Sequence, residues 1–221
     1  MSNIGTLLRR AAAPVGLLIL LLIVVFAASA SAADILDDWA TAKAPQPPEL
    51  KPVKLEASTT ALLIMDLMKN GVCAARPRCV ASIPNIKRLY DASRAAGAMV
   101  WFALGGPNGK PADVVDLGYV PRDGEWETPA SVDKFFGSHL DDKLKARGIK
   151  TVILCGTSFQ GVGIATALAA ADRGYKVIAP VDCLSSQDAY GEQYAVTYMS
   201  QDGPAVVRMQ VTLTRSTMVT F

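Results

Sequence analysis

The sequence predicts an α/β domain in which a single doubly wound parallel sheet is flanked by helices in three layers. Short apolar runs recur along the chain and are typical of parallel strands buried on both faces; they cover residues 60–65, 98–104, 151–155 and 176–181. Segments with helical spacing lie between or after them, at residues 83–96, 139–147, 162–173 and 188–200. Strand and helix therefore alternate, as in a sheet covered on both faces.

Glycines mark the ends of three predicted helices. Gly97, Gly148 and Gly174 each stand where a helix commonly stops before the next strand. In such a sheet, ligands bind outside the carboxyl ends of the strands, near a topological switch point. Asp66, residues 156–160 and Asp182 follow or end predicted strands. They are therefore the first candidates for a site.

The N-terminal region has the layout of a secretory signal. Residues 1–32 contain Arg9 and Arg10, an apolar run over residues 15–28 and the small-residue ending Ala30-Ser31-Ala32. An uncleaved membrane anchor is the alternative, and it would be the only membrane contact that we expect. Residues 33–57 are rich in Pro, Ala and Lys and predict an extended tether. The folded domain is expected over residues 58–221, in the periplasm or outside the cell.

The charge of the mature chain is balanced. The 221 residues carry a formal net charge of +2, and removing the two leader arginines leaves 20 basic and 20 acidic residues. Without a Lys/Arg run, nothing indicates a nucleic-acid partner or an anionic lipid surface.

Four cysteines fall into two groups. Cys73 and Cys79 lie six residues apart in the segment CAARPRC, and export would allow them to form a disulfide. Free thiols or metal ligands are the alternative, although no histidine or further cysteine stands nearby to complete a zinc site. Cys155 and Cys183 end apolar runs and are expected to be small buried residues. We predict no bound metal.

Two polar residues are candidates for chemistry. Asp66 directly follows an apolar run, so burial at a strand end would raise its pKa toward that of a usable acid or base. A helix cap or turn residue is the equal alternative. Lys134 precedes Phe135 and Phe136, where an ammonium group would gain from a carboxylate neighbour. An ordinary surface lysine is the alternative there.

Three blocks of the chain resemble the isochorismatase-like superfamily of hydrolases, often called cysteine hydrolases. They are ALLIMDLMKN around Asp66, VDKFFGSHLDDKLKARGIKTVILCG around Lys134, and GTSFQGVGIATALAAADRGYKVIAPVD; the resemblance covers about residues 58–215. It implies a Rossmann-type three-layer fold and a homo-oligomer. In thiol-using members, an Asp, a Lys and a Cys hydrolyse amides through a covalent intermediate. Asp66 and Lys134 match the first two.

The third position of that triad is Val162, which has no nucleophilic atom. The resemblance includes members with glycine at this position, in which the Asp is thought to supply a proton. By analogy, Asp66 is expected to act as general acid or base with Lys134 as its electrostatic partner. Ser158 and the backbone amides of Gly161, Val162 and Gly163 are expected to bind substrate or developing negative charge. No cofactor is expected.

His139 is the single histidine, and the metal-binding histidines of nicotinamidase-type members have no counterpart in this sequence. We expect His139 to be a helix-start or packing residue. Residues 105–129 form a long loop, which is usually functional or mobile. Within it, residues 125–127 either line the pocket or lie exposed away from it.

Three functions remain open. The first is a hydrolase or lyase that acts on a small polar molecule without a covalent thiol intermediate. The second is a pseudoenzyme that keeps the pocket only to bind a small molecule. The third is an amidase with Ser158 or Thr157 as nucleophile, although no general base for either is evident.

Overall fold

The computed structural model describes residues 34–69, 71–106, 108–129 and 131–221, and the predicted leader lies outside them. The chain divides into two compact units, residues 1–44 and 45–221. Of the first unit, residues 34–44 are described and consist of turns with exposed side chains. Within the described part of the chain, no helix has the length and apolar character that crossing a bilayer requires.

The second unit contains strands and helices in alternation. The strands are β1 (Val53–Lys54), β2 (Thr60–Met65), β3 (Met99–Ala103), β4 (Trp126–Glu127), β5 (Thr151–Thr157), β6 (Lys176–Pro180), β7 (Leu184–Ser185), β8 (Val211–Thr214) and β9 (Val219–Thr220). The helices are α1 (Pro77–Ala95), α2 (Leu140–Ala146), α3 (Ile164–Asp172), α4 (Ala189–Thr197) and α5 (Ala205–Gln210). A π-helical turn, Phe159–Gly163, leads into α3, and a second one, Tyr198–Asp202, follows α4. The four predicted strands and four predicted helices are confirmed, although α1 begins at Pro77 and not at the predicted residue 83.

The central sheet is parallel, as predicted. Among the described residues its strands run in the order β4-β3-β2-β5-β6-β8, with the short β7 also paired to β5. The chain moves outward from β2 through β3 to β4 and then returns to β5 on the other side of β2. The switch point therefore lies between the carboxyl ends of β2 and β5.

Helices cover both faces of this sheet. One core cluster joins Leu63 and Leu154 to residues of α2 and α3, whereas the other joins Leu62 and Ile153 to residues of α1. Successive residues of a strand point to opposite faces of the sheet. Because helices cover both faces, β2 and β5 are buried almost throughout. The three predicted layers are confirmed.

Residues 45–57 lie in the same compact unit as the domain, although their sequence resembles a tether. Val53 and Lys54 of β1 pair in parallel with β9 near the C-terminus, and Leu50 packs against the core. The amide of Lys51 also donates to the carbonyl of Leu213. These partners lie more than a hundred residues away in the sequence, so local composition gives no sign of them.

The long loop over residues 105–129 is anchored on the body of the domain. Val114, Val115 and Leu117 are buried in the core cluster that includes α1. Farther along, Glu125 pairs with Arg94 of α1 at 2.9 Å. The middle of the loop is therefore packed in the core, and its later part is held to α1 by an ion pair.

Candidate active site

Asp66 lies at the carboxyl end of β2, beside the switch point. Its φ of 55° is in the left-handed region, which few residues other than glycine adopt. Its amide donates to the carbonyl of Ala103 on β3 at 2.9 Å. Because unusual backbone conformations concentrate at functional sites, this geometry makes Asp66 a stronger candidate than a simple turn residue.

Lys134 is buried against Asp66 rather than exposed. Its side chain is 4% exposed, and Nζ lies 3.0 Å from Asp66 Oδ2. Nζ also donates to the carbonyl of Ser131 at 3.2 Å, while the backbone amide of Lys134 donates to Thr166 Oγ1 on α3. The ammonium group is therefore held in one orientation.

Burial is the main influence on the acidity of Asp66. Loss of solvent raises its pKa above the ordinary value, while the charge and hydrogen bond of Lys134 and the charge of Arg76 act in the opposite direction. Asp66 Oδ1 is buried and has no hydrogen-bond partner among the described residues. One carboxylate oxygen thus binds Lys134, and the other is uncommitted.

Two cavities meet at Asp66. One, of about 530 Å³, is lined by Met68, Gly71, Val72, Gly105, Gly106, Asn108, Gly109 and Asp113 as well as Asp66. The other, of about 520 Å³, is lined by Gly106, Thr128, Pro129, Ser131, Val132 and Lys134 as well as Asp66. Each has a volume typical of small-molecule sites.

The carboxyl end of β5 lies next to Asp66. Met65 pairs with Gly156, so Asp66 and Thr157 each come directly after a residue of this last pair. Gly156 has a φ of 125°, and a Cβ there would lie 1.9 Å from the carbonyl oxygen of Met65. Only glycine lets the two strands approach so closely. The Thr157–Ser158 peptide that follows is cis.

Val162, which the sequence resemblance predicts at the position of the cysteine of thiol-using members, is buried. Val162 is 6% exposed and lies in the π-helical turn before α3. The amides of Gly161 and Gly163, expected from the sequence to bind negative charge, both donate to the carbonyl of Ser158, at 3.3 and 3.0 Å. In this conformation both amides are directed to the carbonyl that precedes the π-helical turn, and their binding of negative charge stays a prediction.

The two hydroxyl groups considered as nucleophiles differ in their surroundings. Thr157 is 1% exposed, and its Oγ1 donates to the carbonyl of Ser185 at 3.1 Å. Ser158 is half-buried. His139, the single histidine of the chain, lies at the start of α2 with its side chain 82% exposed, as expected for a helix-start residue.

Other predicted positions lie outside the site. Asp182 binds the backbone amide and the hydroxyl of Ser216 at 2.8 and 2.7 Å, which is a structural clamp. Glu125 binds Arg94. Trp126 and Glu127 form β4, and the cavity lining begins only after them, at Thr128. Among the described residues, no group of three or more His, Cys, Asp or Glu side chains is arranged to hold a metal ion.

Cys73 and Cys79 form the predicted disulfide, with their Cα atoms 5.2 Å apart, while Cys155 and Cys183 are buried free thiols. The disulfide closes a loop that contains Arg76, a residue with no role in the sequence-based prediction. Arg76 Nη1 donates to Thr157 Oγ1 at 3.1 Å. The signal for this contact was weak, because arginines in a Pro/Arg-rich segment are usually solvated.

Comparison with known proteins identifies the family of this chain. The model of the Isochorismatase domain matches residues 60–211. The chain belongs to the isochorismatase family. One relative, the uncharacterized isochorismatase family protein YwoC of Bacillus subtilis, is 31% identical over 159 residues, which cover 61% of this chain and 82% of the relative.

Solved structures of isochorismatase-like proteins share the fold. A family protein from Desulfovibrio vulgaris superposes with a TM-score of 0.61 at 22% identity, covering 72% of this chain and 95% of its own. The N-carbamoylsarcosine amidase of Thermoplasma acidophilum gives a TM-score of 0.56 at 21% identity, with coverage of 72% and 96%. At these identities the likeness establishes the fold of this isochorismatase-family chain.

Proposed function

We propose that this isochorismatase-family protein is a hydrolase or lyase that acts on a small polar molecule without a covalent enzyme intermediate. Asp66 transfers the proton, and Lys134 holds and stabilises its charged form. The observation that carries the proposal is the contact at 3.0 Å between the buried Lys134 Nζ and Asp66 Oδ2. The second oxygen, Oδ1, is buried without a hydrogen-bond partner among the described residues, and Asp66 lines both cavities.

A single carboxyl group is sufficient for such a reaction. In hydrolysis, the Asp66 carboxylate takes a proton from water as the water oxygen bonds to the substrate carbon, and the resulting carboxylic acid returns that proton to the leaving group. A raised pKa suits both steps, because it brings the two protonation states closer in free energy. The ammonium group of Lys134 stabilises the negative charge of the Asp66 carboxylate, which burial would otherwise disfavour.

The neighbouring groups favour this route over covalent catalysis. Val162 offers no nucleophile, and Cys155 is fully buried in the core. The Thr157 hydroxyl already donates its proton to the carbonyl of Ser185. Among the described residues, no basic side chain is hydrogen-bonded to the Ser158 hydroxyl, so no general base is in place to activate it as a nucleophile.

We further propose that the protein acts in the periplasm or outside the cell, as a homo-oligomer. The leader pattern of residues 1–32 supports export, and the Cys73–Cys79 disulfide fits an oxidising compartment. N-terminal sequencing of the protein from its native host checks the leader. A mature chain that begins near residue 33 supports cleavage, whereas an intact N-terminus indicates an anchor.

A non-catalytic binding protein is the second candidate, and the buried Val162 favours it specifically. A pocket that has lost its nucleophile can still hold a ligand between Asp66 and Lys134. Ligand-induced thermal stabilisation without turnover of any substrate would select this function.

The deciding experiment measures turnover of a panel of small amides, esters and vinyl ethers. Asp66→Asn keeps the shape of the side chain and removes its proton chemistry, so the rate should fall by about 10²- to 10⁴-fold. Asp91→Asn, on the exposed surface of α1, is the matched control and should leave the rate unchanged. A rate that survives Asp66→Asn but disappears in Ser158→Ala would replace the proposal with a serine nucleophile.

A further inference from the structure

Arg76 holds an unusual position at the start of α1. It is half-buried, and Nη1 reaches across to Thr157 Oγ1 at the carboxyl end of β5, at 3.1 Å. Because Thr157 follows the last residue pair between β2 and β5, this contact brings the guanidinium group to the switch point. The preceding residues of the same segment, Gly71 and Val72, line the larger cavity beside Asp66.

Neighbouring arginines form ion pairs, whereas Arg76 forms none with the residues that the structure describes. Arg78 pairs with Glu192, and Arg94 pairs with Glu125 at 2.9 Å. Within the described residues, no carboxylate lies in ion-pair contact with Arg76, and its recorded side-chain hydrogen bond uses one of the five donors of a guanidinium group. A half-buried arginine that makes no ion pair among the described residues, and whose charge acts on Asp66, is arranged to receive an anion.

Local structure holds this guanidinium in place. The Cys73–Cys79 disulfide closes the loop that carries Arg76. Thr157 Oγ1, in turn, is fixed by its own bond to the carbonyl of Ser185. Since the arginine is positioned before a ligand arrives, binding would cost little additional side-chain entropy.

We infer that Arg76 anchors a carboxylate group of the ligand at the cleft beside Asp66, so that the substrate class is small amides or esters that carry a carboxylate. A carboxylate is the best match because its two oxygens fit the planar fork of a guanidinium group. The inference rests on the proposed function in one respect: both take the cavities beside Asp66 as the site where the ligand binds. Arg76 is a binding residue here, and the proton transfer stays with Asp66.

Anion binding at Arg76 would also change the state of Asp66. The groups that face Asp66 are Lys134 from the segment before α2, Arg76 from the start of α1, and Asp113 across the larger cavity. Burial raises the pKa of Asp66, and the charge of Arg76 opposes that rise, as Lys134 does more strongly. A ligand carboxylate on Arg76 offsets that charge, so the pKa of Asp66 rises and the complex takes up protons.

The test compares two probes of the same size, malonamate with one carboxylate and malonamide with none, by calorimetric titration. Wild-type protein should bind malonamate more tightly, by on the order of tenfold to a hundredfold. Arg76→Gln should remove this preference, and Arg76→Lys should keep part of it. Arg78→Gln is the matched control at the same helix start and should keep the full preference.

Several results would overturn the inference: equal binding of both probes, a preference that survives Arg76→Gln, or no binding of malonamate and its longer homologue succinamate. Melting temperatures verify that the variants are folded. If Arg76→Gln does not fold, Arg76→Lys still tests the inference. Asp66→Asn should still prefer malonamate, so the binding result is independent of whether Asp66 performs catalysis.

Proton uptake gives a readout that a purely structural role for Arg76 would not change. Titrations of malonamate in buffers of different ionisation enthalpy should show net uptake by wild type. Uptake should disappear in both Asp66→Asn and Arg76→Gln. Undiminished uptake in Arg76→Gln contradicts the coupling between the two residues.

Discussion

The substitution Lys134→Met removes one charge of the buried pair and keeps a side chain of similar length. At an effective dielectric constant of about 20, two unit charges 3.0 Å apart attract by about 5 kcal/mol. Removing one partner of a buried pair typically costs about 3 to 5 kcal/mol, because the remaining charge is stranded. We therefore expect the free energy of unfolding at neutral pH to fall by several kcal/mol.

The pH dependence identifies the cause. Without Lys134, the pKa of Asp66 rises further above its unfolded value, so the native state binds a proton that the unfolded chain releases. Stability of the variant then falls as pH rises through that interval, and its deficit relative to wild type should be larger at about pH 8 than at about pH 5.

Urea unfolding at both pH values measures the deficit. Lys143→Met is the matched control: its ammonium lies 2.7 Å from Glu127, but its side chain is 31% exposed, so about 1 kcal/mol or less is expected. The double variant Asp66→Asn/Lys134→Met should recover much of the loss. A deficit that is equal at both pH values and persists in the double variant would refute the stranded carboxylate and indicate lost packing.

Three further predictions concern the same region. In a pH–rate profile, the inflection set by Asp66 should move to higher pH in Lys134→Met, because the lysine lowers the pKa of Asp66; an unmoved inflection assigns the profile to another group. Cys73→Ser opens a disulfide between residues six apart and should cost about 2 kcal/mol in urea unfolding; an unchanged midpoint shows that the bond contributes nothing. Gly156→Ala should cost more than about 4 kcal/mol, since its Cβ would lie 1.9 Å from a backbone oxygen. Gly97→Ala, with open space around its Cβ, should cost about 1–2 kcal/mol, and similar losses in both would refute the steric argument.

The sequence predicted the central fold because its signals are local. A run such as TALLIM is long enough to indicate a buried strand, and β2 spans the same residues, Thr60–Met65. The glycines that end the predicted helices also have positive φ: 79° at Gly97, 64° at Gly148 and 85° at Gly174. Strand rhythm and helix stops were therefore sufficient to establish the layers.

Features that depend on distant contacts were not predictable in this way. Residues 45–57 have a tether-like composition, yet Val53 pairs with Val219. The short strand β8 also lacks the apolar runs that identified the four predicted strands, but it pairs with β6 over four residues. Both pairings join segments that are brought together only by the fold of the whole domain, so local sequence does not indicate them.

The same difference between local signals and distant contacts applies to the candidate site. Asp66 and Lys134 could be selected because strand position and apolar neighbours are visible in the sequence, and the structure brings them together. Arg76 could not, because its contact with Thr157 spans 81 residues. The π-helical turn around Gly161 and Gly163 was not predicted, since such a turn and an ordinary helix start look alike in sequence.

The most direct test of thiol-free chemistry is the intact mass of the protein in acid-quenched samples taken during turnover. Chemistry performed by Asp66 and Lys134 without a covalent intermediate predicts the mass of the unmodified chain at every time point while product accumulates. A mass increase equal to the acyl part of the substrate, mapped to Ser158 or Thr157, would contradict it.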